Sequence, residues 1–189
     1  MAEILRNPGL GQKPQRPRSP GYESDPRRNV EKRPELPPRK GVKVRKMEAK
    51  DLGEVITLGL STSEIQTGTA SPQFYFRETL ERWIKSPNGI LLVAKDRGRI
   101  AGFRIASYNP DSRDGHLHVT VVREEYRRSG IGSKLLDETL TRLEELGANH
   151  VYCEIQEDNE VTLEFFRKHG FEIGSKFFRV ERNLLRETQ

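Results

Sequence analysis

The sequence predicts an α/β domain with a mixed, mostly antiparallel sheet, preceded by a disordered tail. Residues 1–40 hold eight of the eleven prolines and carry the whole net charge of +5. Next come strand-like apolar runs joined by short turns, a pattern that favours antiparallel neighbours. The second half then alternates strand, helix, strand and helix, which is typical of parallel strands joined by a crossover helix. We therefore divide the chain into a tail, 1–40, and one folded domain, 41–189.

The tail is predicted from its composition. It has ten basic and five acidic residues, and its few apolar residues show no period. Such a segment buries too little surface to offset the entropy of ordering it. Its basic side chains leave contact with a nucleic acid open, but Tyr22 is the only aromatic residue among them, so a solubilising arm is favoured. Residues 41–189 have equal numbers of basic and acidic side chains, so the domain itself is predicted to be neutral.

Composition also excludes several classes of protein. No apolar run approaches the roughly 20 residues that span a bilayer, so no membrane contact is expected. The N-terminus lacks the apolar core of a secretion signal, which predicts a cytoplasmic protein. The lone Cys153 excludes an intrachain disulfide and, with only four histidines, leaves no zinc cluster. We expect no metal.

The first elements of the domain are predicted from apolar spacing and helix-start signals. Alternation over 42–47 indicates a strand, and helical spacing follows over 52–60. Residues 61–70, rich in Ser, Thr and Gly, indicate a loop. Ser71-Pro72 then supplies an N-cap and a first helical residue, which predicts a helix over 71–85. Its apolar face is predicted to consist of Phe76, Leu80, Trp83 and Ile84.

The remaining elements are bounded by Gly, Pro and Asn signals. The clearest is a helix over 130–146, because its leucines and Ile131 recur on one stripe and Gly147 follows as a stop. Around it the sequence predicts strands over 90–95, 100–108, 116–123 and 150–156, a helix over 160–169 and a final extended pair over 171–185.

The most informative segment is the polar turn between the third of these runs and the long helix. Gly130 and Gly132 leave room for a ligand to approach backbone N–H groups, and the helix N-terminus adds unpaired donors and a positive dipole end. This combination predicts a phosphate or pyrophosphate site, beside Arg127, Arg128 and Lys134. The spacing fits neither a P-loop nor a dinucleotide fingerprint, which needs a third glycine where Leu135 stands.

These residues carry a resemblance to a known family. Residues 127–132, Arg-Arg-Ser-Gly-Ile-Gly, fit the R/Q-x-x-G-x-G/A signature of the GNAT acyltransferases. The run 115–122 resembles the strand that precedes this signature. Asn159, Phe166 and Gly170-Phe171 resemble the family's closing Asn, Tyr and Gly-Phe motif. The resemblance covers about 42–185, is nearest in motif to the amino-terminal and ribosomal-protein acetyltransferases, and implies a GNAT-like sheet with a β-α-β-α cofactor unit.

The resemblance implies acetyl-CoA as co-substrate. The pantetheine amides of the cofactor would pair with the main chain of the strand before the turn, and its pyrophosphate would lie on the amides of the turn. Asn159 would hydrogen-bond the cofactor near its pantetheine arm. The implied cofactor-binding residues are Thr120, Val121, Val122, Arg127, Arg128, Ser129, Gly130, Ile131, Gly132, Ser133 and Asn159.

The reaction implied is direct attack of a primary amine on the thioester, which needs a base because an amine is mostly protonated at neutral pH. Glu154 and His116 lie where relatives carry that base, and His118 is a weaker substitute. Many relatives also carry a tyrosine that protonates the leaving thiolate. Here that residue is Phe166, so the proton donor is left open, and Cys153 is predicted to be a small core residue rather than a nucleophile.

Two functions follow from this pattern. The favoured one is an N-acetyltransferase that acts on a primary amine of a protein, a peptide or a small molecule. The other is a coenzyme A-binding regulatory module without catalysis, which the loss of the tyrosine suggests. The C-terminal sequence lacks the tyrosine-rich hairpin of the amino-terminal enzymes, so it does not favour protein N-termini as the acceptor. A homodimer is left open.

Overall fold

The computed structural model describes residues 41–62, 74–176 and 180. Their strands form one five-stranded sheet in the order β1-β2-β3-β4-β5. Strands β1 to β4 are antiparallel neighbours, whereas β5 runs parallel to β4. The predicted mixed, mostly antiparallel sheet is therefore confirmed. The strands are β1 (Lys43–Lys46), β2 (Gly89–Asp96), β3 (Arg99–Asn109), β4 (Asp114–Val122) and β5 (His150–Tyr152).

In the described part of the chain, four helices cover the two faces of this sheet. Helices α1 (Leu52–Leu60) and α2 (Arg77–Lys85) pack on one face, which we call the α1–α2 face. Helices α3 (Ile131–Glu145) and α4 (Glu160–Lys168) pack on the other, the α3–α4 face. Short 3-10 turns precede α1 at Ala49–Asp51 and follow β4 at Glu124–Tyr126. Strands β2 and β3 are apolar on both sides because each face carries its own core cluster.

Helix α3 joins β4 to β5 and forms as its leucine spacing predicts. Its stripe of buried side chains packs on the sheet, and the helix stops where Gly147 takes a left-handed φ of 90°. Leu146, predicted on the same stripe, is 36% exposed because it lies at the C-cap beyond the sheet. The buried residues of α3 are Ile131, Leu135, Leu136, Thr139 and Leu143.

Three predicted boundaries are wrong. Helix α2 begins at Arg77 rather than at residue 71, because Phe74 turns inward to pack beside α1 and Phe76 keeps an extended backbone. Phe76 is 67% exposed and so does not share the apolar face of α2. Strand β5 ends at Tyr152 instead of residue 156. Within the predicted pair over 171–185, residues 171–176 form no strand.

Several predictions fall outside the described residues. They are the disordered tail over 1–40, the helix-start signal Ser71-Pro72, most of the loop over 61–70, and the C-terminal half of the last extended pair. Among the helices that the structure describes, none combines the length and the apolar character needed to cross a bilayer.

Candidate active site

The parallel pair β4–β5 opens into a cleft. The two strands pair only from Asp114↔His150 to His116↔Tyr152, and beyond that point β4 continues to Val122 without β5 beside it. After Tyr152 the chain keeps alternating half-buried and exposed side chains, because it packs on the α3–α4 face. The alternation that predicted a longer strand thus reflects packing and not pairing. The predicted parallel neighbours are confirmed, and they separate at the ends of the strands.

The open edge of β4 presents main-chain groups to this cleft. The N–H of Arg123 donates to the carbonyl of Ala101 on β3, and hydrogen-bonding direction alternates along a strand. The main chain of Val121 therefore faces β3, whereas that of Thr120 and Val122 faces the open edge. The Val122 carbonyl accepts a hydrogen bond of 3.3 Å from Nε of Arg127. Thr120 and Val122 thus lie where a bound chain can replace the missing strand.

The polar turn after β4 leads directly into the first turn of α3. Gly130 is the N-cap of α3 and has a left-handed φ of 76°, next to Arg128 with a φ of 61°. The N–H groups of Ile131, Gly132 and Ser133 lie in the first turn, where no helical carbonyl precedes them. These donors and the positive end of the helix dipole form an anion-binding surface beside the cleft.

The side chains of the turn hold its shape. Ser129 is 2% exposed, and its hydroxyl donates to the carbonyl of Tyr126 over 2.5 Å. The Tyr126 hydroxyl in turn donates to Asp96 on β2. Arg127 and Arg128 are exposed, and of these Arg127 contacts the end of β4. The hydrogen bonds of Ser129 and Tyr126 therefore attach the turn to β2, and the two arginines lie at the surface of the turn.

Helix α4 borders the other side of the cleft. Asn159 is its N-cap, and the Asn159 side-chain oxygen accepts the N–H of Thr162 at 3.1 Å, which leaves the amide NH₂ to donate elsewhere. At the other end of α4, Nδ1 of His169 donates to the carbonyl of Phe165. A neutral His169 then accepts at Nε2 from the Ser133 hydroxyl, 3.0 Å away. Sequence analysis did not find this connection between α4 and the first turn of α3.

The two candidate bases meet where β4 and β5 begin to separate. Nε2 of His116 lies 2.7 Å from Oε2 of Glu154. With the carboxylate ionised, Nε2 must carry the hydrogen, so the lone pair of a neutral imidazole is at Nδ1. Tyr152 stacks on the imidazole at 4.6 Å, which fixes the plane of the ring. The side chain of Glu154 is 71% exposed and that of His116 is 25% exposed, so the pair is open to solvent.

A row of rings extends from this pair across the α1–α2 face. His116 lies 4.0 Å from His118, His118 lies 5.1 Å from Trp83, and Trp83 lies 5.3 Å from Tyr75. Burial, together with the nearby His116, lowers the pKa of His118 to about 4, and Ser107 lies 2.7 Å from its Nε2. His118 is therefore neutral at pH 7. We call His116, His118, Trp83 and Tyr75 the aromatic row.

The α3–α4 face of the cleft holds Phe166, Cys153 and an arginine that sequence analysis missed. Phe166 is 9% exposed and packs edge-on against Phe171 at 4.9 Å. Cys153 is half-buried against the core of this face, and burial raises the pKa of its thiol to about 11, so it stays protonated at neutral pH. The guanidinium of Arg104 lies 5.9 Å from the centre of the Phe166 ring. A single charge within the apolar run 100–106 was the available signal.

The described residues contain no cluster of three or more His, Cys, Asp or Glu side chains suited to a metal ion. What they present instead is a strand edge followed by a helix N-terminus. Such an arrangement suits a ligand with both amide groups and a diphosphate, which is the chemistry of coenzyme A.

Comparison with known sequences identifies a family of enzymes that fits a site of this kind. The model of the Acetyltransferase (GNAT) family matches residues 60–171, more than half of the chain. The chain belongs to the GNAT acetyltransferase family.

Individual relatives are distant. An uncharacterized N-acetyltransferase of Mycobacterium tuberculosis is 27% identical over 99 residues, covering 52% of this chain and 63% of the relative. N-alpha-acetyltransferase 30 of Schizosaccharomyces pombe is 26% identical over 112 residues, covering 57% of this chain and 72% of the relative. The chain thus spans less than two thirds of the length of the mycobacterial relative.

Solved structures share the fold at low identity. AAC(6')-Iy, in complex with the bisubstrate analog CoA-S-monomethyl-acetylneamine, has a TM-score of 0.64 and 16% identity, covering 75% of this chain and 98% of that chain. The ribosomal-protein-S18-alanine N-acetyltransferase of Escherichia coli has a TM-score of 0.56 and 19% identity, covering 71% and 79%. At these low identities, both comparisons show a shared fold.

Proposed function

We propose that this protein is an N-acetyltransferase that moves an acetyl group from acetyl-CoA to a primary amine by direct attack. The observation that carries the proposal is the open edge of β4, which ends at the left-handed Gly130 and the first turn of α3. Coenzyme A has the matching chemistry along its length, with amides in the pantetheine arm and a diphosphate at its base.

The cofactor is assigned to these groups as follows. Main-chain groups of Thr120 and Val122 would pair with pantetheine amides, in place of the absent strand. Amides from residues 130–133 would hold the diphosphate, with Arg127 and Arg128 nearby. Asn159 would donate from its free amide NH₂. Because these are preformed groups, little ordering of the protein opposes binding.

The base is assigned to His116, held by Glu154. The ionic hydrogen bond of 2.7 Å keeps the hydrogen on Nε2 and stabilises the imidazolium that forms when Nδ1 accepts a proton. The incoming ammonium loses a proton, directly or through one water, and its nitrogen then attacks the thioester carbon. As the adduct collapses, the carbon–sulfur bond breaks and the sulfur of coenzyme A leaves with the bonding electron pair. The nitrogen gives up its second proton to water, which leaves the neutral amide.

The acceptor is assigned to the aromatic row, on the α1–α2 face. Ring faces attract an ammonium group by cation–π interaction, worth about 0.5–2 kcal/mol. Trp83 and Tyr75 are only partly buried, so their rings are accessible to a cationic amine that approaches His116.

The experiment has two stages. Calorimetry with acetyl-CoA on the full chain is expected to show one site per chain, and thermal unfolding is expected to shift upwards with acetyl-CoA. A panel of polyamines, aminoglycosides, amino acids and peptides is then assayed for release of free CoA thiol, with product masses measured. Absence of acetyl-CoA binding would contradict the proposal at its first step.

Phe166 favours a second candidate, a coenzyme A-binding regulatory module. It replaces the hydroxyl-bearing tyrosine of relatives with a buried ring that has no proton to donate. Binding of acetyl-CoA without transfer to any member of the panel would favour this candidate over the enzyme.

A further inference from the structure

Arg104, in the middle of β3, is buried without a polar partner. It is 1% exposed, and its three guanidinium nitrogens have no hydrogen-bond partner among the residues that the structure describes. A buried charge without hydrogen bonds is costly to the folded state. Burial lowers the pKa of Arg104 to about 10, so the side chain still carries its charge at neutral pH. Such a group is suited to a ligand that supplies the missing acceptor.

The position of Arg104 relates it to the cofactor cleft. Its neighbours across the sheet are Leu92 on β2 and Thr120 on β4. Leu92 belongs to the core of the α3–α4 face, so Arg104 lies on that face as well. Thr120 is exposed at the open edge of β4. Arg104 therefore lies one strand inward from the edge assigned to the pantetheine arm.

Two further neighbours place the charge in the corner of the cleft where, by the resemblance to the family, the leaving thiolate would lie. The guanidinium carbon lies 5.9 Å from the centre of the Phe166 ring. Its charge also acts on Cys153, just beyond the last paired residue of β5. Phe166 stands at the position where relatives carry the tyrosine that protonates the leaving thiolate. The guanidinium of Arg104 and Phe166, which replaces the tyrosine of relatives, therefore lie in the same corner of the cleft.

We propose that Arg104 stabilises the sulfur of coenzyme A as it leaves, by charge and by N–H donation, in place of the proton that a tyrosine would supply. The inference rests on the acyltransferase function proposed above. The carbon–nitrogen bond forms, the carbon–sulfur bond breaks, and its electron pair stays on sulfur as a thiolate paired with the guanidinium. The proton from the amine leaves through His116, and water later protonates the thiolate as coenzyme A departs.

The test measures the thiol of bound coenzyme A and needs no acceptor. The ultraviolet absorbance of the thiolate is titrated in complexes of coenzyme A with the wild type, R104M, R104K and R99M. We expect the thiol to be at least tenfold more acidic in the wild-type complex than in R104M, and R104K to recover part of the difference. R99M is the matched control, because Arg99 is an exposed cation on the same strand, paired with Glu125. It should titrate like the wild type.

A second readout uses only the wild type and so does not depend on the folding of a variant. At a pH where the bound thiol is ionised, coenzyme A should bind at least tenfold more tightly than desulfo-coenzyme A. Thermal unfolding of R104M should not occur at a lower temperature than that of the wild type, because a long apolar side chain replaces an unpaired buried charge.

The outcomes separate the two proposals. If coenzyme A does not bind, the acyltransferase function fails and this inference fails with it. If coenzyme A binds, but its thiol titrates alike in wild type and R104M, only this inference is overturned. Equal affinity of the wild type for coenzyme A and desulfo-coenzyme A overturns it too. Selective loss of succinyl-CoA binding in R104M, with an unchanged thiol, would reassign Arg104 to an acyl carboxylate.

Discussion

Gly130 and Gly132 occupy the same turn but differ in what they require. A Cβ at Gly130 meets no atom within 4 Å, yet its φ of 76° is strained for any other residue. Gly132 has no such restriction, and a Cβ there meets only Phe165, at 3.6 Å. The glycine signature therefore combines one conformational requirement with one position that accepts a small side chain.

We expect G130A to destabilise the protein by about 1–2 kcal/mol, the cost of a left-handed backbone with a side chain. Relaxation of the turn should also move the amides of residues 130–133 and weaken binding of coenzyme A. G132A should keep the stability of the wild type, because its Cβ meets only Phe165, but its methyl group takes space left for the ligand and should also weaken binding of coenzyme A. Urea unfolding and calorimetry with coenzyme A measure the two effects. Equal free energies of unfolding for G130A and G132A would contradict the strained left-handed turn at Gly130.

The pair His116–Glu154 allows a matched test of the proposed base. E154Q keeps the shape but loses the carboxylate, so transfer to a responsive amine should slow by about 10²-fold or more, within the range for general acid–base catalysis. H116A should be slower still. Coenzyme A binding should persist in both, because neither side chain is assigned to the cofactor.

The control for these variants is E157Q, since Glu157 is an exposed carboxylate of the same segment, paired with Lys176. Steady-state rates over a range of pH measure the effect, because loss of a base changes the acidic limb of the profile. Normal rates in both E154Q and H116A would remove the base assignment.

At the scale of the element, the sequence predicts best those helices and strands whose bounds depend on their own residues. It predicts less well those whose bounds depend on contacts with distant parts of the chain. The apolar spacing lies within α3 and the stop at Gly147 lies just after it, so the sequence predicts this helix to within a residue at each end. The end of β5 is different, because it depends on where β4 separates from it. The start of α2 likewise depends on Phe74, which packs on Gly59 of α1, and on Phe76, whose extended backbone directly precedes the helix.

The candidate site divides in the same way. The turn over 127–132 is a contiguous motif and could be found from sequence. The contact between His116 and Glu154 joins residues 38 positions apart, and sequence analysis offered them only as alternatives. Arg104 was missed because its one local signal, a single charge within the apolar run 100–106, does not by itself distinguish a buried arginine from a solvated one. Its role depends on the helix that covers it.

Asp51 joins three elements at the start of the domain. Its side chain is 1% exposed and accepts two hydrogen bonds from Arg45 of β1, at 2.7 and 2.8 Å. It also accepts from Lys95 of β2 and from the N–H of Glu48. Burial alone would raise the pKa of Asp51, but these donors hold it at about 2. Strands β1 and β2 and the start of α1 thus share one carboxylate.

We expect D51N to destabilise the protein by about 2–4 kcal/mol, because Arg45 and Lys95 would lose their counter-charge. E81Q is the matched control, since Glu81 makes an exposed pair with Arg77 within α2, and it should change stability by less than about 0.5 kcal/mol. Urea unfolding measures both. A cost of D51N no larger than that of E81Q would contradict the structural role of Asp51.

At the scale of the whole molecule, the sheet separates two kinds of chemistry. The α3–α4 face carries the proposed cofactor groups and Arg104, and the α1–α2 face carries the aromatic row. The opening between β4 and β5 connects them, so the proposed cofactor site and the proposed acceptor site would meet at this opening. The solubilising role of the basic tail, 1–40, stays a prediction.

His118 links this arrangement to the stability of the folded domain. Its pKa is lowered from 6.5 to about 4, first by burial and then by the neighbouring His116, while Glu154 acts in the opposite direction. Between these two pH values the unfolded chain binds a proton at His118 and the native protein does not. Stability from this residue is therefore fully present above pH 6.5 and is lost as the pH falls towards 4.

We expect the free energy of unfolding of the wild type to fall more steeply over this window than that of H118Q, which has no titrating group and can still hydrogen-bond Ser107. One proton corresponds to about 1.4 kcal/mol per pH unit, and the partial exposure of His118 makes the measured difference smaller. Urea unfolding of both proteins at several pH values measures it. Asp51, with its pKa of about 2, contributes in a separate and lower window. Parallel curves between pH 6.5 and 4 would show that His118 takes up its proton over the same pH range in the native and the unfolded protein, and would contradict the lowered pKa of His118.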